Sequence, residues 1–276
     1  IIAATLREIW MQMRGRDAPR PRFAVIGYGK LGGKELGYGS DLDLVYLYDD
    51  DAPDAQEIYS RLGQRINTWL SSQTSAGILF ETDVRLRPNG DSGLLTVSIE
   101  SFRDYQLKHA WPWEHQALTR ARFCAGDAEV GKRFEAVRCE ILCQERDLAK
   151  LREDVLAMRQ KMLDAHASKS ATHFDLKQDP GGIIDVEFIV QYLVLGHASQ
   201  HPRLTGNLGN IALLAMAAEI GLIPVVEADA ARIAYREYRR RQHLSRLNAN
   251  PAALVPRDAI QEHIDAVRRL WKTVFG

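Results

Sequence analysis

Residues 22–51 read RFAVIGYGKLGGKELGYGSDLDLVYLYDDD. Phe23 to Ile26 is a short apolar run of β-formers. Gly27, Gly29, Gly32 and Gly33 break it and leave backbone able to approach a ligand closely. Lys30 to Leu36 has room for about two helical turns at ~3.6 residues each, ended by Gly37 and Gly39. Ser40-Asp41-Leu42-Asp43 then opens an apolar strand that runs to Tyr48. Residues two apart on a strand share a face, so Asp41 and Asp43 project together while Leu42 and Leu44 turn to the core. Two carboxylates held that close repel unless a cation lies between them. Mg²⁺ takes one or two carboxylates and fills its shell with water and phosphate oxygens. Gly39 and Ser40 add exposed N–H groups and a hydroxyl that suit a phosphate tail. The alternative is a pair of turn aspartates at a strand edge; the glycine-rich turn and the Gly-Ser prefix favour the cation site.

A third carboxylate follows in Ile78-Leu79-Phe80-Glu81-Thr82-Asp83-Val84-Arg85-Leu86-Arg87, closed by Pro88. From Thr82 the pattern is an alternating strand, with Asp83, Arg85 and Arg87 on one face and Val84 and Leu86 on the other. Placed beside the Asp41/Asp43 strand, Asp83 completes a three-carboxylate, two-metal centre for in-line phosphoryl transfer. Arg85 and Arg87 then either pair with triphosphate oxygens, which suit the planar guanidinium fork, or neutralise the three aspartates.

Gly39-Ser40-Asp41-Leu42-Asp43 resembles the metal-binding signature of the DNA polymerase β-like nucleotidyltransferases. The longer run GYGKLGGKELGYGSDLDL is similar to that of the glutamine synthetase adenylyltransferases, in which one half of a long chain attaches AMP to glutamine synthetase and the other removes it. FAVIGYGKLGG-KELGYGSDLDL most resembles the attaching, C-terminal half. Three further stretches share the resemblance. Asp83 to Pro88 is similar to a D-x-R-L-R-P motif, residues 111–122 to W-x-W-E-x-Q-A-L-x-R-A-R, and residues 177–188 to K-x-x-x-G-G-I-x-D-x-E-F. The resemblance implies ATP as substrate, two Mg²⁺ ions on Asp41 and Asp43, and Asp83 as third metal carboxylate and proton acceptor. Gly29, Lys30, Gly39 and Ser40 would lie near the triphosphate, and Asn89 to Gly93 would close over the nucleotide. Lys177 would reach a phosphate, and Asp185 or Glu187 would orient substrate or metal water; the alternative for the two acids is stabilisation by the dipole of the helix they begin. Arg120 and Arg122 would help bind nucleotide or else form surface salt bridges. The implied protein substrate is glutamine synthetase, modified on a tyrosine, with glutamine and the PII signalling protein as regulators.

The rest of the chain frames this centre. Its 276 residues are 46% hydrophobic and 26% charged with formal net charge zero, an ordinary globular composition with no basic bias to recruit nucleic acid. No apolar run approaches the ~20 residues of a membrane span. The chain opens on Ile1 rather than Met, which reads as part of something longer. Cys124, Cys139 and Cys143 are too few and uneven for a disulfide framework and point to packed thiols in a reducing cytoplasm. Helical spacing marks Ile1–Met13, and Ala55–Leu70 with a stripe of Ile58, Leu62, Ile66, Trp69 and Leu70. After Ser101 strand signals nearly vanish. Phe102–Lys108, 111–122 (Trp111 and Trp113 packing, His115 a satisfied surface histidine), Val130–Cys143, Asp147–Ala167, Ile183–Leu195, Asn207–Ile220, Arg232–Leu247 and Arg257–Phe275 all read as helices. The arginines of 232–247 form either a solvated face or a docking surface. The predicted fold is α+β: a polymerase β-like nucleotidyltransferase domain over residues 1–140, with a small mixed sheet flanked by helices, followed by an all-α helical bundle domain over 141–276. Two rivals remain. One is a dinucleotide-binding regulatory module, since residues 27–32 fit G-x-G-x-x-G with acids at Asp49 to Asp51, although the helix is short and β-α alternation stops. The other keeps the nucleotidyltransferase fold but gives it a nucleic acid or small-molecule acceptor.

Overall fold

The computed structural model describes every residue except 38, 76, 79, 167, 169 and 249–252, and its contacts divide the chain into two units, Ile1–Ile141 and Leu142–Gly276. Leu79, in the stretch leading to the strand predicted from Thr82, and Ala167, at the end of a predicted helix, lie outside the described residues.

The first unit is built on β1 (Phe23–Gly27), buried along its whole length. β2 (Leu42–Tyr48) pairs with it antiparallel, Phe23 opposite Tyr48 and Gly27 opposite Leu44. That pairing removes the dinucleotide reading, because a βαβ unit needs its two strands parallel. It also carries Asp49 to the far end of β1 from the glycines, where Arg22 binds it at 2.5 Å. The sheet order is β3-β2-β1-β5. β3 (Thr82–Asp83) and β4 (Thr96–Ser98) both pair parallel with β2, at its beginning and its end. Alternation on the strands sends Phe23, Val25, Leu42, Leu44, Tyr46 and Tyr48 into one core. There they meet α1 (Ile2–Arg14) and α3 (Ala55–Ser71). Phe23, Tyr46, Tyr48 and Tyr59 stack within it, with centroids 5.0–5.8 Å apart. Asp43 falls on the opposite face, as the period of two requires.

Several expectations need correction here. The strand predicted from Thr82 lasts two residues, because the Asp83 carboxylate accepts from the Arg85 backbone N–H at 2.9 Å and turns the chain. Arg85 and Arg87 therefore do not alternate along a strand with Asp83. The predicted helix over 111–122 ends early. It is α5 (Pro112–Leu118), and Arg122–Gly126 is β5, an antiparallel partner of β1. Trp111 is 66% exposed and Trp113 39%, so neither is a packing residue, whereas His115 is buried and bonds the Gln106 carbonyl at 2.9 Å. On α3 the stripe includes Tyr59 rather than Trp69, which is 48% exposed. α4 (Ile99–Lys108) and α6 (Ala128–Leu142) follow the prediction closely, and their Phe102 and Phe134 rings meet at 5.9 Å.

The second unit is helical: α7 (Leu148–His166), α8 (Ile183–His197), α9 (Asn210–Glu219), α10 (Val225–Leu247) and α11 (Gln261–Phe275). α8 is apolar on nearly every side and is the centre of this unit. The unit is not all-α, because β6 (His173–Asp175) and β7 (Leu254–Pro256) form a small antiparallel ribbon. Cys124, Cys139 and Cys143 are partly buried thiols, none of them in a disulfide. No helix among the described residues is long and apolar enough to cross a membrane.

Candidate active site

The glycine-rich turn is one helical turn, α2 (Gly29–Gly32), shorter than the predicted Lys30–Leu36. It stops because Lys34 is left-handed at φ 59°. The Glu35 N–H then reaches back to the Lys30 carbonyl at 2.8 Å, and the Lys34 N–H to the Leu31 carbonyl at 3.3 Å, which closes a Schellman cap. Gly29 has φ +52°, and a Cβ there would collide with Asp43 Oδ2. Glycine is thus what lets the turn lie against this carboxylate. The Tyr28 N–H fixes the approach, donating to the Asp43 carbonyl at 2.9 Å.

Two arginines hold the turn from behind. Arg120 Nε donates to the Gly29 carbonyl at 3.2 Å, and its Nη2 pairs with Glu35 at 2.8 Å. Arg122 donates to the Leu31 and Gly32 carbonyls at 3.1–3.2 Å. A Cβ at Gly32 would strike the Arg120 carbonyl, so that glycine marks where the turn and the segment before β5 touch. Arg138, 1% exposed, anchors this segment by donating to the carbonyls of Leu118 and Thr119, each at 3.1 Å. Arg120 and Arg122 are spent on backbone carbonyls and Glu35, neither exposed nor pointing at open space. The roles of Glu35 and Arg138 were not read from the sequence; for Arg138 the signal would have been a charged residue among the apolar residues of its helix.

The carboxylates come together on two neighbouring strands. In the parallel pairing of β2 and β3, Asp43 is in register with Asp83 and Leu42 with Thr82. The Leu42 N–H also donates to the Glu81 carbonyl at 2.8 Å. Asp41 precedes β2 and is exposed; Asp43 is partly buried. Burial, then the charges of Asp83 and Asp41, push the Asp43 carboxyl up to about 6, while Lys30 and Arg120 partly offset them. Asp83 is held below the usual carboxylate range by Arg85, whose Nη2 lies 2.5 Å from Oδ2 and whose Nε lies 3.0 Å from both oxygens. A cavity of about 340 Å³ opens between Asp41, Glu81, Thr82, Asp83, Val84 and Arg85.

As the side chains stand, no group of three or more His, Cys, Asp or Glu among the described residues is at metal-ligand spacing. The donor set nonetheless suits a hard divalent cation. Three carboxylates crowd one edge of the sheet, and one of them carries a charge its surroundings disfavour. Arg85 donates to both Asp83 oxygens, so a cation at this edge would compete with it for them. Arg87 is engaged elsewhere. It donates to the carbonyls of Val84 (2.8 Å), Asp91 (3.1 Å) and Gly93 (3.2 Å) and so shapes the loop between β3 and β4. Ser40 is buried, its hydroxyl accepting from the Gly37 N–H at 3.1 Å, and Gly39 is left-handed at φ 62°.

The remaining predicted residues belong to the second unit. Asp185 is buried and paired with Arg159 at 2.6 Å, and accepts from the Gly181 N–H at 2.6 Å. Burial raises its pKa in spite of both. Lys177 is exposed and Glu187 is partly buried on α8. Asp185 thus ties α7 to the Pro180–Gly182 turn.

A sheet with Asp43 at the start of one strand, Asp41 just before it and Asp83 on the parallel neighbour, with a glycine-rich turn folded against Asp43, is consistent with a nucleotidyltransferase-like fold. Residues 1–137 match the family model described as glutamate-ammonia ligase adenylyltransferase, and residues 149–264 match one described as GlnD PII-uridylyltransferase. Proteins described as bifunctional glutamine synthetase adenylyltransferase/adenylyl-removing enzyme match along almost all of the chain. The one from Aromatoleum aromaticum is 63% identical over 97% of this chain and 28% of its own length. Those from Chromobacterium violaceum and Nitrosomonas eutropha are 58% and 56% identical over the whole chain and 30% and 31% of theirs. The chain belongs to the family of bifunctional glutamine synthetase adenylyltransferase/adenylyl-removing enzymes and spans about three-tenths of the length of these curated relatives.

Proposed function

We propose that this chain is the AMP-attaching part of its family and transfers AMP from ATP to a tyrosine hydroxyl of glutamine synthetase, in the cytoplasm. The observation that carries the reading is the register of β2 and β3, which sets Asp83 beside Asp43 next to a glycine-rich turn. In the transfer the tyrosine oxygen bonds to the α-phosphorus, the bond to the β-phosphate oxygen breaks, and pyrophosphate leaves on the opposite side. Asp41 and Asp43 would hold two Mg²⁺ ions, with Asp83 as third ligand. Bound Mg²⁺ would supply positive charge against the triphosphate and the departing pyrophosphate. Gly29 and Lys30 would face the phosphates across Asp43, with Gly39 and Ser40 shaping the entry to β2. Asp83 is a poor proton acceptor while Arg85 holds it. Once released it can take the phenolic proton, and the freed Arg85 fork can turn to a phosphate oxygen. Arg87, Arg120 and Arg122 act by holding backbone in place. Glutamine and the PII protein are its proposed regulators by the same family resemblance.

The test is transfer of label from α-labelled ATP to purified glutamine synthetase with Mg²⁺, comparing wild type with Asp41→Asn, Asp43→Asn and Asp83→Asn. Label on the synthetase, lost in all three variants, is the expected result. Label passing instead to an RNA primer or a small molecule, with none on the synthetase, would sink the choice of acceptor.

A further inference from the structure

The first unit holds a second cavity, of about 800 Å³, where β1 begins and β2 ends. The five residues of β1 separate it from the glycine-rich turn by roughly 15 Å. Its floor is aromatic: Trp10 stacks on Tyr59 with centroids 6.2 Å apart and planes 8° from parallel. Its rim is basic, with Arg14, Arg16, Arg20 and Arg22 lining it against two acids, Asp17 and Asp50. The rim is a fastened segment. The Gly15 N–H bonds the Met11 carbonyl at 2.9 Å, Trp10 Nε1 donates to the Pro19 carbonyl at 2.8 Å, and the Arg22 N–H donates to the Tyr59 hydroxyl at 3.2 Å.

Other arginines of the chain pair with acids, as Arg103 does with Glu140 and Arg240 with Glu237. Arg22 follows that habit through Asp49. Arg14, Arg16 and Arg20 do not. Arg14 lies over the Trp10 ring at 5.8 Å, and none of the three guanidinium groups has a carboxylate partner among the described residues. In a chain of zero net charge, such a cluster around one cavity is a local concentration of positive charge.

We propose that this cavity binds a compact polyanion: a small molecule with two or more carboxylate or phosphate groups beside a small apolar part. Guanidinium forks match both anions, and a volume of this size is that of a small-molecule site. Trp10, Ile58 and Pro19 give the apolar part a wall. A nucleic acid strand fits less well, because the Trp10 faces are taken by Tyr59 and Arg14 and no free stacking platform remains for successive bases. The inference does not depend on the proposed acceptor or on the carboxylate site.

Isothermal titration without Mg²⁺ at low salt, with citrate and with inorganic tripolyphosphate in separate runs, tests it on three proteins: wild type, Arg14→Ser/Arg16→Ser/Arg20→Ser, and a control that removes equal charge elsewhere, Arg236→Ser/Arg246→Ser/Arg269→Ser. At least one probe should bind wild type and control alike at one per chain and weaken about tenfold or more in the first triple variant. Which probe binds separates a carboxylate ligand from a phosphate one. A change in tryptophan fluorescence on binding should disappear in Trp10→Phe. Arg20→Glu alone, at an exposed position, makes the same test should the triple variant lose its fold. Neither probe binding wild type, equal binding by the rim variants, or binding of an acidic peptide alone would each overturn the proposal.

Discussion

Asp43 combines two opposed demands. Burial and two neighbouring carboxylates raise its pKa from 3.8 to about 6. The folded chain thus binds its proton more tightly than the unfolded chain. The stability this contributes is complete below the unfolded value and lost as pH rises through about 6; above that, the ionised carboxylate destabilises the fold. Asp43→Asn should therefore abolish transfer while raising stability at pH 7.5 by on the order of 1–2 kcal/mol, a gain that vanishes near pH 3.5. Urea unfolding at the two pH values without Mg²⁺ checks it, and a loss of stability at pH 7.5 would contradict it. Transfer at limiting Mg²⁺ should rise as pH climbs through about 6, because proton and cation compete for one carboxylate. Gly29→Ala tests the steric side. Its Cβ would meet the Asp43 carboxylate at a left-handed backbone position, so it should cost at least tenfold in kcat, and about 1–2 kcal/mol in stability as strain. Paired kinetics and melting curves measure both.

At the scale of elements, β5 and the segment before it are the backing of the glycine-rich turn. Arg122→Ala removes three hydrogen bonds to the Leu31 and Gly32 carbonyls. It should raise the KM for ATP several-fold and lower stability by about 1–2 kcal/mol, with kcat changed less. An unchanged KM would show that the turn keeps its shape unaided. This backing was hard to read from sequence, and the reason is general to the chain. β1, the turn, β2 and the long helices announce themselves through local pattern, whereas the placing of Asp83 beside Asp43 was a condition of the metal-site reading, supported by the D-x-R-L-R-P resemblance, and the register of β2 and β3 meets it. β4, β5, β6 and β7 are three to five residues long and are specified by partners distant in sequence. Arg85 and Arg87 were misplaced because alternation ran on past a point where the Asp83 side chain turns the chain. Trp111 and Trp113 show the other limit: large aromatics imply burial only on average, and here helix capping by Glu114, which accepts from the Trp111 N–H at 2.8 Å, sets their position instead.

For the whole molecule, the two units make separate predictions. In the second, Arg159 and Asp185 are a buried pair, 2% and 7% exposed at the side chain. Arg159→Met leaves a buried carboxylate without its ion-pair partner and should cost about 3 kcal/mol or more at neutral pH. The cost should shrink toward pH 5, since burial already raises the Asp185 pKa and its folded state favours the proton. The double variant Arg159→Met/Asp185→Leu should recover most of the loss. Urea unfolding of the three proteins decides this, and a double variant no better than the single would show that the pair does more than neutralise itself.

The strand that brings Asp83 to Asp43 is two residues long and closes an excursion of some forty residues. Such a contact is won late in folding and surrendered early in breathing, since a long loop must be closed for little local reward. The carboxylate edge should be the part of the sheet whose amide protons exchange soonest, well ahead of β1. An enzyme assembled this way can lose its chemistry through partial opening long before it loses its core.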